Sequence, residues 1–379
     1  MELLHKGFDA LDLAYPYHLP EELVRKLQQA KDTSIQQNWK SVVSLNGIRM
    51  NVAPTGARGG YAFRCDTGKL GETWFFKKPN RSDPWGIRVS VSAVQVAIRG
   101  LDGIRAHLEE RLSTLGVPVR PGAESIARLD FAMDFLFPEF VLESGNFVMN
   151  SRFGKMKHAS LLEYKEAGTS GRTTSVTVGK NPNRQLIVYD KRAEVLAKKK
   201  VHWLEIWNAN RKRKGQLPIS LDDPSISRVW RIELRAYKAH LKQDWGVSSW
   251  GQLHTKLPSI LGAIPEDIQY KLPNNDNNRS RWNNHPLWLR AKSELADEMG
   301  KLKSPASNEA IRELYRNQQI QMILDQMAGC QIALAALNGV EIYELEEFVG
   351  TTASKIGVML ASNESRTSTK LKRAQERYA

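Results

Sequence analysis

Two short segments of the chain alternate strictly between apolar and polar residues. In RLDFAMDF, residues 128–135, the apolar side chains point to one face of a strand, while Asp130 and Asp134 point to the other. In VWRIELRAY, residues 229–237, the same rule places Arg231, Glu233 and Arg235 opposite the apolar face. Because charged residues are poor strand formers, the pattern predicts two strands that each carry an unusually polar face.

A third segment, RQLIVYDKRAE at residues 184–194, begins as an apolar strand and continues as a charged helix. Tyr189, Asp190 and Lys191 lie at the junction. The strand period of two places Tyr189 and Asp190 on opposite faces. Asp190 can therefore share a site with Tyr189 only if the strand ends or twists there.

The remaining pattern predicts further strands, helices and one linker. Asn46-Gly47 between two apolar runs is a strong hairpin signal, and a three-and-four periodicity predicts a helix from Val94 to Leu115. Other predicted elements are a helix at 20–34, strands within 61–67, 72–78, 87–94 and 173–180, a basic helix from 191 to about 210, and helices at 307–337 and 341–360. No internal repeat is visible in the sequence.

These elements predict an α+β fold: a mixed, largely antiparallel sheet core with flanking helices and a helical C-terminal region. We expect residues 1–270 to form the main domain. The Asn-rich stretch 271–286 is expected to be a linker or loop, and 287–379 a helical region with a basic tail.

Charge limits the classes of partner. The chain of 379 residues carries a net charge of +14 and has a pI near 9.6, which indicates a polyanion, with nucleic acid first and an anionic membrane surface second. No run of about 18 apolar residues predicts a membrane span, and the first residues lack the features of a signal peptide. We therefore expect a cytoplasmic protein without membrane contact.

Several alternative sites find little support in the sequence. Cys65 and Cys330 are far apart and outside any CxxC motif, and no two histidines form a His-hydrophobe-His pair. GARGGY at 56–61 lacks the GxxxxGK[ST] pattern of a phosphate loop, so nothing predicts ATP binding. Trp203 and Trp207 are one helical turn apart and are expected to pack inward rather than stack on bases.

The polar faces of the three strands have two interpretations. They can be solvated faces whose arginines and carboxylates pair across the sheet. If the strands are neighbours, however, Asp130, Asp134 and Glu233 can converge on one patch with Tyr189 at its edge. Such oxygen ligands suit Mg²⁺ or Mn²⁺.

A tyrosine beside such a patch can act as a nucleophile. Only about one free tyrosine in a thousand is phenolate at pH 7, and a nearby cation such as Lys191 or a metal ion would raise that fraction. A phenolate that attacks a phosphodiester forms a phosphotyrosine bond, which conserves the energy needed to rejoin the strand. A metal ion would polarise the phosphoryl oxygen.

The three segments, in this order, resemble the replication initiation factor family, the Rep_trans group. This family includes rolling-circle initiators of plasmids, related phage proteins and relaxases of integrative conjugative elements. The resemblance covers roughly residues 40–260. The matching residues are Arg128, Asp130, Asp134, Tyr189, Asp190, Lys191, Glu194, Arg231 and Glu233.

The resemblance implies a site-specific DNA nickase and strand transferase whose tyrosine becomes joined to a 5′ phosphate. Tyr189 matches the nucleophile, with Lys191 beside it. Asp130 and Glu233 are the best matches for ligands of Mg²⁺ or Mn²⁺, and Asp134 and Asp190 are further candidates. The chain departs from the family in GKNPNR at 179–184, where many members have Gly-Ser-Arg.

The implied partners are an origin DNA, partly single-stranded or hairpin, a host helicase and a second copy of the chain. Positive side chains on and near the three strands are candidates for contacts to DNA: Arg128, Arg184, Arg231, Arg235, Lys198, Lys199, Lys200, Arg211 and Arg213. Plasmid, phage and conjugative roles share this chemistry, so the sequence does not choose among them. Two alternatives stay open: a non-catalytic DNA-binding regulator on the same fold, and an RNA-binding protein.

Overall fold

The computed structural model describes residues 1–149, 164–179, 183–296 and 302–378. Lys180, Asn181 and Pro182, where the sequence departs from the resembled family, lie outside the described residues.

Thirteen strands are found in the described residues. They are β1 Glu2–Tyr15, β2 Ser41–Leu45, β3 Ile48–Val52, β4 Phe63–Asp66, β5 Glu72–Phe76, β6 Ile87–Val91, β7 Ser125–Leu136, β8 Phe147–Met149, β9 Tyr164–Thr169, β10 Arg172–Gly179, β11 Arg184–Asp190, β12 Val229–Tyr237 and β13 Ile268–Tyr270. Eleven of them form one antiparallel sheet in the order β2-β3-β4-β5-β6-β1-β7-β12-β11-β10-β9, and β8 pairs with β13. The predicted α+β fold with a large antiparallel sheet is confirmed.

Eleven α-helices accompany the strands in the described residues. They are α1 Glu21–Gln37, α2 Ala93–Thr114, α3 Lys191–Ala197, α4 His202–Arg213, α5 Pro224–Ser227, α6 Lys238–Gln243, α7 Trp250–Asp267, α8 Pro286–Ala296, α9 Asn308–Leu337, α10 Leu345–Ala361 and α11 Glu364–Tyr378. The predicted helical C-terminal region corresponds to α8 to α11.

The predicted hairpin at Asn46-Gly47 joins β2 to β3. Both turn residues have positive φ, 49° for Asn46 and 85° for Gly47, as the tight two-residue turn requires. Asn tolerates this backbone region better than most residues, and Gly adopts it without steric cost. The dipeptide thus sets the register of the first two strands.

The central strand β1 was not predicted. Its pairing with β7 contains three register shifts, between Leu3 and His5, between Phe8 and Ala10, and between Asp12 and Leu13. Each shift breaks the alternation of faces, so the sequence does not show the period of two. Buried leucines nevertheless fix the strand in the core, with Leu11 paired to both β6 and β7.

One hydrophobic core joins the apolar face of the sheet to the helices. Buried residues of α1, α2, α7 and α8 belong to the same cluster as those of the central strands; examples are Leu27, Leu108, Leu253 and Trp288. The opposite face of the sheet carries the polar residues. The polar pattern of β7 and β12 therefore reflects two different environments, one on each side of the sheet.

Two predicted boundaries differ from the structure. The basic helix is two helices, because α3 ends at Ala197 and Lys199 adopts a left-handed conformation with φ 51° before α4 begins. The chain divides into compact units between Ile311 and Arg312, further along than the predicted linker 271–286. Within that stretch Lys271 is buried and donates to the carbonyl oxygens of Ser280 and Trp282.

Helix α9 is long and apolar enough to cross a membrane by length and composition alone. Its most apolar window has a mean hydropathy of 1.3, and 6% of that window is buried. Polar residues interrupt the apolar positions of this helix, so the sequence contains no continuous run of about 18 apolar residues.

Leu11→Ala should lower the free energy of unfolding by about 2–5 kcal/mol, because the cavity would lie between the two halves of the sheet. Leu217→Ala is the matched control: Leu217 is 82% exposed, so its loss should change the free energy by less than about 0.5 kcal/mol. Urea unfolding followed by tryptophan fluorescence measures both. Equal effects of the two changes would contradict the central position of β1.

Candidate active site

The register of three adjacent strands brings the predicted residues to one face. Tyr189 of β11 lies opposite Arg231 of β12, and Arg231 lies opposite Asp134 of β7. Four residues further along β12, Arg235 lies opposite Asp130. Directly opposed residues in a sheet point to the same side, so these side chains share the polar face.

The Tyr189 hydroxyl lies between a carboxylate and an ammonium group. Its hydroxyl donates a hydrogen bond to Glu233 Oε2 at 2.8 Å, and Lys191 Nζ donates to the same hydroxyl oxygen at 3.3 Å. Lys191 is also anchored by Glu194 Oε2 at 2.6 Å. A phenol with a carboxylate acceptor in contact has the arrangement of a nucleophile beside its general base.

Burial shifts the pKa of both Tyr189 and Lys191. It raises the pKa of Tyr189 well above its usual value, and Arg231 opposes that effect without cancelling it. Burial, assisted by Arg231, also lowers the pKa of Lys191. The expected excess of phenolate is therefore absent in this arrangement, and Tyr189 needs a proton acceptor when it reacts. Glu233 is already in contact with that proton.

Arg231 is fully buried beneath the tyrosine. It donates to both carboxylate oxygens of Asp134, at 2.5 and 2.7 Å, and to Asp9 of β1 at 2.5 Å. Its guanidinium lies 3.9 Å from the centre of the Trp203 ring. Trp207 Nε1 donates to Asp134 at 2.8 Å, so helix α4 closes over the ion pair.

Asp130 and Glu233 form a second group nearer the middle of the sheet. Arg128 chelates Asp130, with Nε 3.0 Å from Oδ1 and Nη2 bonded to Oδ2. Arg235 Nε donates to Glu233 at 2.6 Å and lies 3.8 Å from Asp130. Burial raises the pKa of Asp130 to about 7 against the opposing effect of Arg128.

Asp190 lies on the opposite side of the strand from Tyr189. Its carboxylate accepts the backbone N–H of Ala193 at 2.9 Å and thereby caps α3, and it also pairs with Arg172 at 3.1 Å. A carboxylate committed to a helix N-terminus and an arginine does not share a ligand set with Asp130 and Glu233. The alternation of the strand explains this outcome.

The donor set does not form a ready metal site. Asp134 is saturated by Arg231 and Trp207, and Arg128 and Arg235 neutralise Asp130 and Glu233. Across residues 1–149, 164–179, 183–296 and 302–378, no three or more His, Cys, Asp or Glu side chains are grouped closely enough to hold a metal ion. Binding of Mg²⁺ or Mn²⁺ by Asp130 and Glu233 would first require Arg235 to leave its place between them.

No family model matches the chain, and no curated protein matches it. A solved structure of a rolling circle replication initiator protein from Geobacillus stearothermophilus is similar with a TM-score of 0.40 and 14% identity. The alignment covers 79% of this chain and 99% of that one. Membership of the replication initiation factor family stays a prediction.

Two residues predicted to contact DNA are not at the surface. Arg231 is fully buried, and Arg184 is 6% exposed and paired with Asp267. Both guanidinium groups are committed to buried carboxylates, so neither reaches a phosphate in this arrangement. Alternation could not reveal this, because it does not distinguish a solvated face from one covered by a helix.

The other predicted DNA contacts lie at or near the surface. Arg128 and Arg235 are about one-third exposed, at 31% and 32%. Lys198 and Lys200 pair with Glu194, and Arg211 pairs with Glu2. Lys199 and Arg213 are exposed. Contact of these residues with DNA stays a prediction.

Two members of the site, His5 and Asp9, were not predicted from the sequence, because both lie on the irregular strand β1. Burial lowers the pKa of His5 to about 4, so the ring is neutral beside Trp203. Trp203 and Trp207 are fully buried, which confirms the prediction that they pack inward. Their packing partner, the Arg231 ion pair, was not foreseen.

Arg231→Met should lower the free energy of unfolding by about 3–5 kcal/mol, because it leaves Asp134 buried without its counter-charge. The matched control is Arg281→Met. The Arg281 side chain is 72% exposed and its ion pair with Asp276 should contribute less than about 1 kcal/mol. Denaturant unfolding of both variants measures the difference. A stable Arg231→Met protein would contradict the structural role of this arginine.

Proposed function

We propose that this protein nicks and rejoins one strand of DNA through a covalent bond to Tyr189. The observation that carries the proposal is the contact of the Tyr189 hydroxyl with Glu233 on one side and Lys191 on the other, at 2.8 and 3.3 Å. A half-buried tyrosine in a purely structural role needs only one hydrogen-bond partner. Here a carboxylate accepts the phenol proton while an ammonium group faces the same oxygen.

The chemistry follows from these contacts. Glu233 takes the proton as the Tyr189 oxygen attacks the phosphorus atom, and the bond between phosphorus and the 3′ oxygen breaks. The 3′ oxygen leaves, takes a proton from water and becomes a 3′ hydroxyl, and a 5′-phosphotyrosine remains. In the reverse direction the 3′ hydroxyl loses its proton to water as it attacks the phosphotyrosine, the bond between phosphorus and the Tyr189 oxygen breaks, and the proton held by Glu233 returns to Tyr189.

Positive side chains supply the charge stabilisation that this reaction needs. Lys191 is fixed by Glu194 and can face the developing charge on the phosphoryl oxygens. Arg235 and Arg128 are partly exposed on the same face and can bind the phosphates that flank the reacting one. The net charge of +14 supports a nucleic acid as the substrate.

Dependence on Mg²⁺ or Mn²⁺ stays a prediction from the resemblance, with Asp130 and Glu233 as its ligands. A metal ion there would polarise a phosphoryl oxygen. The same holds for the origin DNA, the helicase and the second copy of the chain as partners. The steps above require a strand of DNA, but not a particular origin, a helicase or a second copy of the chain.

One observation favours a second candidate, a DNA-binding regulator without chemistry. The carboxylates of the site are neutralised by arginines, and Tyr189 is protonated. A protein that only binds DNA could retain such a network for stability.

Incubation with supercoiled DNA that bears candidate origins, with Mg²⁺, Mn²⁺ or a chelator, tests the proposal. We expect a protein and DNA adduct on a denaturing gel, its loss in Tyr189→Phe, and a decrease of about 10²-fold to 10⁴-fold in its rate of formation in Glu233→Gln. Tyr343→Phe is the matched control, because Tyr343 is 81% exposed and outside the site.

An adduct that persists in Tyr189→Phe would refute the assignment of the nucleophile. Tight DNA binding without any adduct, whether with Mg²⁺, with Mn²⁺ or with the chelator, would contradict the nickase and support the DNA-binding regulator.

A further inference from the structure

The two halves of the large sheet repeat one arrangement about the pair β1 and β7. Outward from β1 the strand order is β6, β5, β4, β3, β2, and outward from β7 it is β12, β11, β10, β9, so the first four strands of each half correspond. Because β1 and β7 are antiparallel, a two-fold axis perpendicular to the sheet relates the halves and keeps the polar face on the same side. In each half the strand next to the central one is followed by helices.

The last residue pair of each equivalent pair of strands gives a residue-by-residue alignment of the two halves. The last pair of β5 and β6 is Phe76 with Ile87, and the last pair of β11 and β12 is Asp190 with Trp230. Phe75 therefore occupies the position of Tyr189. In sequence, FFKK at 75–78 corresponds to YDKR at 189–192.

The partners across the sheet correspond as well. Phe75 lies opposite Arg88, as Tyr189 lies opposite Arg231. The groups needed for chemistry are absent at the second position, because phenylalanine has no hydroxyl and Ser90 stands where the active half has Glu233. The second position keeps the framework of the site and lacks its nucleophile and base.

The second position is also more open than the first. Helices α3 and α4 join β11 to β12 and cover Arg231, whereas the short loop 77–86 joins β5 to β6. Phe75 and Arg88 are both partly exposed.

Four partly exposed aromatic rings lie along this open face, and each has a cation near its ring. We call them the aromatic strip: Tyr61 with Lys77 at 4.9 Å, Phe75 with Arg88 at 5.1 Å, Trp85 with Lys238 at 5.7 Å and Tyr237 with Arg128 at 5.5 Å. A cation within about 6 Å of the centre of an aromatic ring is attracted to the face of that ring.

The strip is continuous with the candidate active site. Arg128, which lies over Tyr237, also chelates Asp130. At the other end, Phe75 is five strands from Tyr189 and lies level with Ala14 of β1, whereas Tyr189 lies level with His5, so the two side chains are on the order of 40 Å apart. A strand of DNA bound at Tyr189 and along the strip would span several nucleotides.

The charge of the strip favours a polyanion. Lys77 pairs with Asp83 and Arg88 pairs with Asp12, so these two cations are partly neutralised. Arg64 is exposed and lies opposite Phe75 on the next strand. Exposed Arg58, Lys78 and Arg81 lie on the adjoining loops.

We propose that the aromatic strip binds single-stranded DNA on one side of the nick, an inference that rests on the proposed function. Bases stack on aromatic rings without sequence preference while cations contact the phosphates. A duplex hides the faces of its bases, so rings alternating with cations fit a single strand.

Fluorescence anisotropy with labelled oligothymidylates of 5 and 20 nucleotides tests the strip in the full-length protein. We expect the 20-mer to bind more tightly than the 5-mer, and Phe75→Leu and Tyr61→Leu each to weaken 20-mer binding by about fivefold to a hundredfold. Tyr343→Leu, a matched loss of an exposed ring, should have no effect. Circular dichroism monitors folding.

Arg64→Gln provides a variant at an exposed position that should not affect folding. It should reduce the slope of log affinity against log salt by about 0.7, as the loss of one phosphate contact on a single strand predicts. Unchanged 20-mer binding in Phe75→Leu and Tyr61→Leu would refute the strip, as would tighter binding of an oligouridylate of equal length.

The adduct assay separates this proposal from the proposed function. If an adduct forms at Tyr189 but the strip variants bind the 20-mer normally, the strip fails and the nickase stands. If no adduct forms but the variants lose 20-mer binding, the strip stands and the nickase fails.

Discussion

The buried ion pair of Arg231 and Asp134 is the constraint on which the site depends. Neither side chain is exposed, and an ion pair in that environment is costly unless its hydrogen bonds are satisfied. Asp9, Trp203 and Trp207 satisfy and cover it. Since these partners come from β1 and α4, the pair ties the central strand and the covering helix to the strands that carry Tyr189 and Glu233.

The corresponding positions in the other half of the sheet lack this buried ion pair. The counterpart of Asp134 is Ala14, and Arg88 instead pairs with Asp12 and stays partly exposed beside Phe75. One half is closed by a helix over an ion pair. The other keeps an open face on which aromatic rings and cations are exposed.

Much of this site could be predicted from alternation alone. The period of two correctly places Asp130, Asp134, Arg231 and Glu233 on one face and sets Asp190 apart from Tyr189. Alternation could not show which polar residues are covered, because the cover comes from a helix distant in sequence. It also failed for β1, where register shifts disrupt the pattern, and so Asp9 and His5 were missed.

The repeat of the two halves was invisible in the sequence for a related reason. Topology and register preserve it, while the residues at equivalent positions differ in chemistry: Phe75 for Tyr189, Ser90 for Glu233. Sheet pairing constrains the alternation of faces but not the side chains on a solvated face.

In the proposed function, the carboxylates of the site and the phosphates of DNA compete for the same two arginines. Arg128 and Arg235 neutralise Asp130 and Glu233, and they are also the partly exposed cations nearest to an incoming phosphate. A phosphate that binds these arginines leaves the two carboxylates with less counter-charge. Glu233 then becomes a better acceptor for the Tyr189 proton at the moment when DNA is bound. In the proposed mechanism, substrate binding and activation of the nucleophile would therefore be coupled through the same two arginines.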